Sequence, residues 1–456
     1  TWWLRVGAGG TLPRKDRNAV IGAVAELIAQ AHHGGFVHTD LHAGNILVRT
    51  DRDGGYSACF VDLQAVSVGR AVSEQRAIRN LAMFGNWFRS NASLTDRTRF
   101  LRVYVACRER LTEPGRCRPA GCRELVPGVD RAMRAHARAL AAQRDRQALR
   151  NGRRFGILCL DRTTRAHVFL WARQAAPNSA VPTKPLTRRW WCESLASRWN
   201  FFSSLHDIIH KGTGEHLRGF FDLEVEDNEP IAVASLERRP TLGQQLKSIL
   251  FSSQEMQLWK TGNALLNRGI PAARPLAVCE RRFCGVLLYA SILIENPTRV
   301  KPPHDFMDTQ MKALPPSKRY RAMVSIAHQI AALFRRLDEE GFVYSDLKAS
   351  DLAICVSPSS DDTPIVVLSG YLDLRQTSSR VPLANLPALV RLSESLREWS
   401  QVSRTDRLRV LKRYLNRLGR PAADWRKVWR EMRGEPDGGR EASLTGSDKQ
   451  SRQEMK

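Results

Sequence analysis

The chain repeats itself, and this limits its fold more than any other feature. Gly35-Phe36-Val37-His38-Thr39-Asp40-Leu41-His42-Ala43 returns as Gly341-Phe342-Val343-Tyr344-Ser345-Asp346-Leu347-Lys348-Ala349, roughly 300 residues later. A second block, residues 93–104, returns at nearly the same distance as residues 403–414. Two modules of one ancestry are expected. In the second block Ser, Thr and Asp stand just ahead of an apolar helical pattern, so it reads as a recurring helix N-cap and not as an active site.

Each copy of the first block follows an amphipathic helical stretch. Ala19, Val20, Val24, Leu27 and Ile28 share one face before the first copy, and Val324, Ile326, Ile330, Leu333 and Phe334 share one before the second. The glycines at Gly34-Gly35 and at Gly341 suit left-handed helix ends. Short β-like runs follow at 45–48 and 59–61. Between the copies, 114–127 reads as a loop, 131–154 as a basic helix and 175–189 as a proline-bearing linker. Strands are expected at 220–225, 231–233, 274–278 and 284–293. A helix opened by a capping box at 252–255 should stop at Gly269, and the polar tail after Arg433 should be disordered.

The chemistry lies in His38-x-Asp40-Leu41-x-x-x-Asn45, followed by an apolar run and Val61-Asp62-Leu63. Phosphoryl transfer needs positioning and charge neutralisation more than covalent chemistry, and this pattern supplies the parts. Asp40 would orient the attacking hydroxyl or accept its proton. Asn45 and Asp62 would hold Mg²⁺, a hard cation that takes oxygen ligands and bridges nucleotide phosphates. The candidate catalytic residues are Asp40, His38 and His42. His38 is expected to organise the loop, and His42 either meets the substrate or stabilises the loop by a hydrogen bond.

The string from His38 to Val48 together with Phe60-Val61-Asp62-Leu63 resembles the Kdo/WaaP-type lipopolysaccharide kinase family. The run from Leu258 to Pro271, with Arg274-Pro275-Leu276-Ala277, is similar to the third-helix and fourth-strand segment of that family's N-lobe. The resemblance implies a protein-kinase-like α+β fold, ATP and Mg²⁺ as cofactors, and a sugar hydroxyl of a lipopolysaccharide core as acceptor. The catalytic-loop pattern is shared with aminoglycoside- and choline-type phosphotransferases, so it points to the reaction more firmly than to the substrate.

The second copy departs from the pattern. Tyr344 stands at the place of His38 and Asp351 at that of Asn45, while Tyr371-Leu372-Asp373-Leu374 echoes the metal-aspartate string. The strand that should carry a phosphate-pairing lysine reads Ile231-Ala232-Val233-Ala234-Ser235, which leaves Glu255 without a cationic partner. A catalytically weak or dead pseudokinase module is expected there. Residues 2–12 resemble a hinge segment, and with Thr1 as first residue the sequence reads as a fragment whose first module lacks its N-lobe.

The expected organisation is a kinase-like C-lobe at 1–112, a basic linker region at 113–189, a complete degenerate two-lobed kinase-like module at 190–433 and a tail at 434–456. Against 46 Asp and Glu, 71 Lys and Arg give a formal charge of +25, which favours anionic partners. The longest apolar run, near 286–294, is far short of the roughly 20 residues a membrane-spanning helix needs. Any membrane contact would then be peripheral; the resemblance implies a cytoplasmic protein whose anionic glycolipid substrate lies at the inner face of the cytoplasmic membrane, where the positive charge would help. The nine scattered cysteines read as reduced thiols. Two rival readings are a non-catalytic kinase-like scaffold and a basic nucleic-acid binder. Nucleic acid is not an expected partner, because no basic motif interleaved with aromatics is present.

Overall fold

The computed structural model describes residues 13–112, 121–170, 186–198, 216–223, 231–238, 240–295 and 300–301, then 303–356, 364–377, 381–397, 399, 401–416, 425–426 and 430. The expected hinge segment at 2–12 and the tail after Arg433 lie outside these residues. The chain divides into two compact units, residues 1–144 with 175–181 and residues 145–174 with 182–456.

The first unit opens with helix α1 (Arg14–His33), which buries Val20, Ile21, Val24, Ala25, Ile28 and Ala29. This apolar stripe is the predicted one, except that Ala19 is exposed and Leu27 half-buried. The helix runs into Gly35, whose φ of +78° puts a left-handed turn where only glycine fits. A Cβ there would come within 1.9 Å of the Gly69 carbonyl oxygen. Four short strands follow: β1 (Phe36–His38), β2 (Ile46–Thr50), β3 (Tyr56–Phe60) and β4 (Val66–Val68). β1 pairs antiparallel with β4, and β2 with β3, with His38 opposite Val66 and Ile46 opposite Phe60. Helices α2 (Glu74–Asn91) and α3 (Leu94–Leu111) complete the packing, and α4 (Cys122–Gln147) follows. The N-cap expected at the second repeated block is present, since Ser93 Oγ accepts from the Asp96 amide at 3.1 Å.

The second unit contains a six-stranded antiparallel sheet, with strands β5 (Phe155–Cys159), β6 (Thr164–Phe169), β7 (His216–Leu223), β8 (Ile231–Arg238), β9 (Pro275–Phe283) and β10 (Val286–Glu295). Their order is β5-β6-β9-β10-β8-β7. Residues 113–189 are therefore not a linker throughout. Helix α4 begins at Cys122 and carries Pro127 within it, where a loop was expected, and Phe155–Phe169 supplies two sheet strands that arginine-rich flanks conceal in the sequence. The unit boundary falls after Arg144, not at 190. Helix α5 (Arg188–Arg198) buries Trp191, and α6 (Leu242–Ser248) and α7 (Gln254–Asn267) lie between β8 and β9. Ser253 caps α7 by accepting from the Met256 amide, which places the cap one residue later than the box expected at 252–255. Trp259 is fully buried, and its Nε1 donates to the Ala148 carbonyl at 3.0 Å. β9 and β10 join through Cys284 and Gly285, both at positive φ, as a two-residue hairpin turn requires.

After strand β11 (Val300–Lys301) and the single turn α8 (Pro303–Phe306) comes α9 (Pro316–Glu340), closed by Gly341 at φ +77°. Then follow β12 (Phe342–Tyr344), β13 (Leu352–Val356), β14 (Pro364–Leu368), β15 (Leu374–Gln376), α10 (Leu386–Ser395) and α11 (Arg404–Leu415). β12 pairs with β15, and β13 with both β14 and β11. This is the element series of α1 to α3 over again, down to the Ser403 cap on the Asp406 amide. The architecture is α+β in both units.

Candidate functional site

The repeated Gly-Phe-Val run becomes the short strand β1, which ends on His38 and hands the chain to an exposed loop. His38 is buried, and its ring is held on both sides. Nε2 donates to the Val61 carbonyl at 3.1 Å, and Nδ1 accepts from the Asp40 amide at 3.3 Å. The histidine thereby ties the loop to the chain just before Asp62. Leu41 is fully buried beneath the loop and leaves Asp40 exposed to solvent.

Asn45 closes a single 3-10 turn, Ala43–Asn45. Its Nδ2 donates to the Asp40 carbonyl at 2.9 Å, which leaves Oδ1 as the amide's acceptor atom. Its backbone carbonyl accepts from the Val61 amide at 3.0 Å, so Asn45 and Asp62 sit beside each other at the mouth of the β2–β3 hairpin. Asp62 has φ +58° and ψ +55°, a left-handed conformation that costs a non-glycine residue energy. Its side chain is exposed. An amide oxygen on a fixed side chain beside a carboxylate is hard-donor chemistry that fits Mg²⁺ carrying nucleotide phosphates. Among the described residues no cluster of three or more His, Cys, Asp or Glu side chains could hold a metal without such help.

Both readings of His42 have a physical counterpart. Nδ1 accepts from the Gly44 amide at 3.0 Å, and Nε2 lies 3.6 Å from Asp40 Oδ2. The ring stabilises the loop and sits beside the candidate base.

Behind the loop lies a buried hydrogen-bond chain that motif reading missed. Tyr104 Oη donates to His32 Nδ1 at 2.8 Å, His32 Nε2 donates to Asn80 Oδ1 at 3.0 Å, and Asn80 Nδ2 donates to the His38 carbonyl at 2.7 Å. Burial, only partly offset by the bond to Asn80, lowers the His32 pKa to about 4, and Arg108 adds to the effect. Burial also raises the Tyr104 hydroxyl to about 12. The clue in the sequence was the last residue of the second repeated block, Tyr104 against Tyr414.

In the second unit Tyr414 Oη donates to Asp338 Oδ2 at 2.6 Å, and Asn385 Nδ2 donates to Asp338 Oδ1 at 2.8 Å and to the Phe342 carbonyl at 2.7 Å. The brace is kept, with an aspartate at the place of His32. The loop itself has changed. Tyr344 is buried and its hydroxyl donates to the Gly370 carbonyl at 2.5 Å, standing in for the bond from His38. Asp346 lies 3.4 Å from Lys348 Nζ and 4.0 Å from Arg391 Nε, so it faces cations where Asp40 faces a histidine. Asp351 turns inward, and its Oδ2 accepts from the Lys348 amide at 2.8 Å. Burial is the main cause that raises its pKa, with Asp373 and Asp346 adding to it.

The strand register corrects one expectation. Leu352 pairs with Leu368 as Ile46 pairs with Phe60, and the Ser369 amide donates to the Asp351 carbonyl as Val61 donates to Asn45. Downstream, the Ser345 amide donates to the Asp373 carbonyl as Thr39 donates to Ala65. Gly370 therefore occupies the place of Asp62, and Asp373 that of Ala65. The string Tyr371-Leu372-Asp373-Leu374 does not carry its aspartate to the place of Asp62: Asp373 lies three residues beyond it. A Cβ on Gly370 would lie 2.2 Å from Asp351 Oδ1, so the inward carboxylate fills the space a side chain would need.

The lysine position is also vacant of charge. Val233, Ala234 and Ser235 are buried on β8, and Glu255 is buried with its Oε2 free of hydrogen bonds. Burial raises the Glu255 pKa, while Arg238 opposes the shift.

No curated protein matches the sequence. Among solved structures, a WaaP in complex with acyl carrier protein aligns at 16% identity over 52% of this chain and 87% of its own, with a TM-score of 0.37. The LegK7 effector kinase of Legionella pneumophila aligns at 13% identity over 41% of this chain and 37% of its own, with a TM-score of 0.25. Residues 3–104, the stretch that carries all five predicted site residues and the buried chain behind them, match the model of the lipopolysaccharide kinase (Kdo/WaaP) family.

Proposed function

We propose that this chain is part of an ATP- and Mg²⁺-dependent phosphotransferase of the lipopolysaccharide-kinase type. Its chemistry lies in the first unit, and its acceptor is a sugar hydroxyl of a lipopolysaccharide core or similar glycolipid at the cytoplasmic face of a membrane. The observation that carries the reading is the braced loop, in which His38 and Asn45 each bond the backbone both at Asp40 and at Val61, next to Asp62, and both carboxylates stay exposed. Asp40 orients the acceptor hydroxyl and takes its proton as the oxygen bonds to the terminal phosphorus and the bond to the departing diphosphate breaks. Asn45 Oδ1 and Asp62 are the ligands for Mg²⁺, which when bound neutralises charge on the phosphates. His42, 3.6 Å from Asp40, helps to aim the carboxylate. Leu47, on β2 two residues beyond Asn45, is exposed and offers an apolar face for a nucleobase. The lobe that would cover the nucleotide is not among the described residues of the first unit.

The second unit, on this reading, is a scaffold or regulator that no longer transfers phosphate. It has Gly370 where Asp62 stands in the first unit, Asp351 turned inward, and Val233, Ala234 and Ser235 where β8 would carry a phosphate-pairing lysine. Calorimetric titration of Mg²⁺-nucleotide into the full-length protein tests the reading. Binding should weaken in Asp62→Asn and persist in Asp40→Asn, and equal binding by wild type and Asp62→Asn would refute the metal assignment.

A further inference from the structure

Helix α6 and the turn after it are inside-out. Ser248 is buried, where its Oγ accepts from the Leu287 amide at 2.9 Å and its carbonyl accepts from Arg282 Nη1 at 2.9 Å. These bonds fix the segment to the β9–β10 hairpin. The apolar residues around Ser248 point the other way: Leu246, Ile249, Leu250 and Phe251 are between 53% and 83% exposed, and Phe283 at the hairpin tip is 61% exposed. Scattered exposed leucines are ordinary, but a run of four large apolar side chains held outward by a polar anchor is not.

The exposed ionic side chains that this segment and the β9–β10 tip present are cationic. From Thr241 to Lys260 the exposed ionic residues are Lys247 and Lys260, because Glu255, the one acid in the stretch, is buried. The hairpin tip adds exposed Arg281. Two acids of the same sheet are engaged, Glu280 with Arg282 at 3.2 Å and Asp161 with the amides of Thr163 and Thr164. Lys260 Nζ donates to Ser252 Oγ at 3.1 Å, while Lys247 and Arg281 stand exposed beside the apolar side chains. Apolar side chains among exposed cations complement an interface that is apolar beneath an anionic skin, which is the make-up of a bilayer containing anionic lipid.

We infer that α6, residues 249–251 and the β9–β10 tip form a docking face for an anionic lipid bilayer, with Leu246, Ile249, Leu250 and Phe251 entering the headgroup region and Lys247 and Arg281 meeting the lipid phosphates. The inference stands on the second unit alone and does not depend on the phosphotransfer reading. Cosedimentation of the full chain with vesicles of phosphatidylcholine, alone or mixed with phosphatidylglycerol, tests it. The wild type should partition onto the mixed vesicles. The double variant Leu250→Ser, Phe251→Ser should lose on the order of tenfold or more in partitioning, since both side chains leave water on docking. Lys247→Glu should lower binding to mixed vesicles by about tenfold and change little on neutral ones. Both variants alter exposed side chains, and an unchanged circular dichroism spectrum shows that they fold. Failure of the wild type to bind mixed vesicles, or undiminished binding by the double variant, overturns the proposal. Self-association that the double variant abolishes, without vesicle binding, assigns the face to a second copy and overturns it equally.

Discussion

Acidification should loosen the first unit through a single residue, His32. The ring is buried to 1% exposure, and its pKa is lowered from 6.5 to about 4. A base with a depressed folded-state pKa is neutral in the native state, so the unfolded chain binds the extra proton. The stabilising contribution is thus complete above the unfolded value of 6.5, falls as pH drops below it, and is exhausted near 4. The full span corresponds to about 3 kcal/mol, and at about pH 5 roughly 2 kcal/mol is gone, close to a thirtyfold rise in the opening equilibrium. Hydrogen exchange of α1 peptides in the whole chain, corrected for intrinsic rates, reads this directly. Helix α9 is an internal comparison, because Asp338 stands in its brace where His32 stands in the first. The variant His32→Gln should be less stable at neutral pH and lose the pH dependence. Constant protection of α1 between pH 7 and about pH 5, or an equal loss in His32→Gln, would refute the reasoning.

Two further outcomes follow from the same contacts. Asn80→Ala leaves the His38 carbonyl and His32 Nε2 without their partner and should cost about 1–3 kcal/mol, read as faster exchange in β1; unchanged exchange would show that the brace contributes nothing. Gly370→Ala drives a Cβ against Asp351 and should destabilise the second unit by about 1–3 kcal/mol in thermal denaturation, with most of the loss recovered by adding Asp351→Ala; a neutral Gly370→Ala would contradict the register assignment.

Much of this was legible in the residues, for reasons that are local. The helix before each loop, the glycine at its end and the Ser93 and Ser403 caps all depend on neighbours within a few positions. The string from His38 to Asn45 was readable because its spacing is the geometry of one turn. What pairing decides was harder to see. Asp373 matched the Asp62 string by eye, but the pairing of β13 with β14 sets the register and puts Gly370, three residues earlier, in that place. The hairpin at Phe155–Phe169 was hidden because β6 joins the sheet through β9, over a hundred residues away. Asn80 and His32 act through buried amide and ring atoms at separations no motif spans.

The central claim is that one loop carries the chemistry and its repeat does not. The most direct test is phosphate transfer from ATP to lipopolysaccharide-core oligosaccharide by the full-length protein, comparing Asp40→Asn with Asp346→Asn. The first should lose on the order of 10²- to 10⁴-fold in rate, and the second should match the wild type. Full activity in Asp40→Asn, or a comparable loss in Asp346→Asn, would contradict the account.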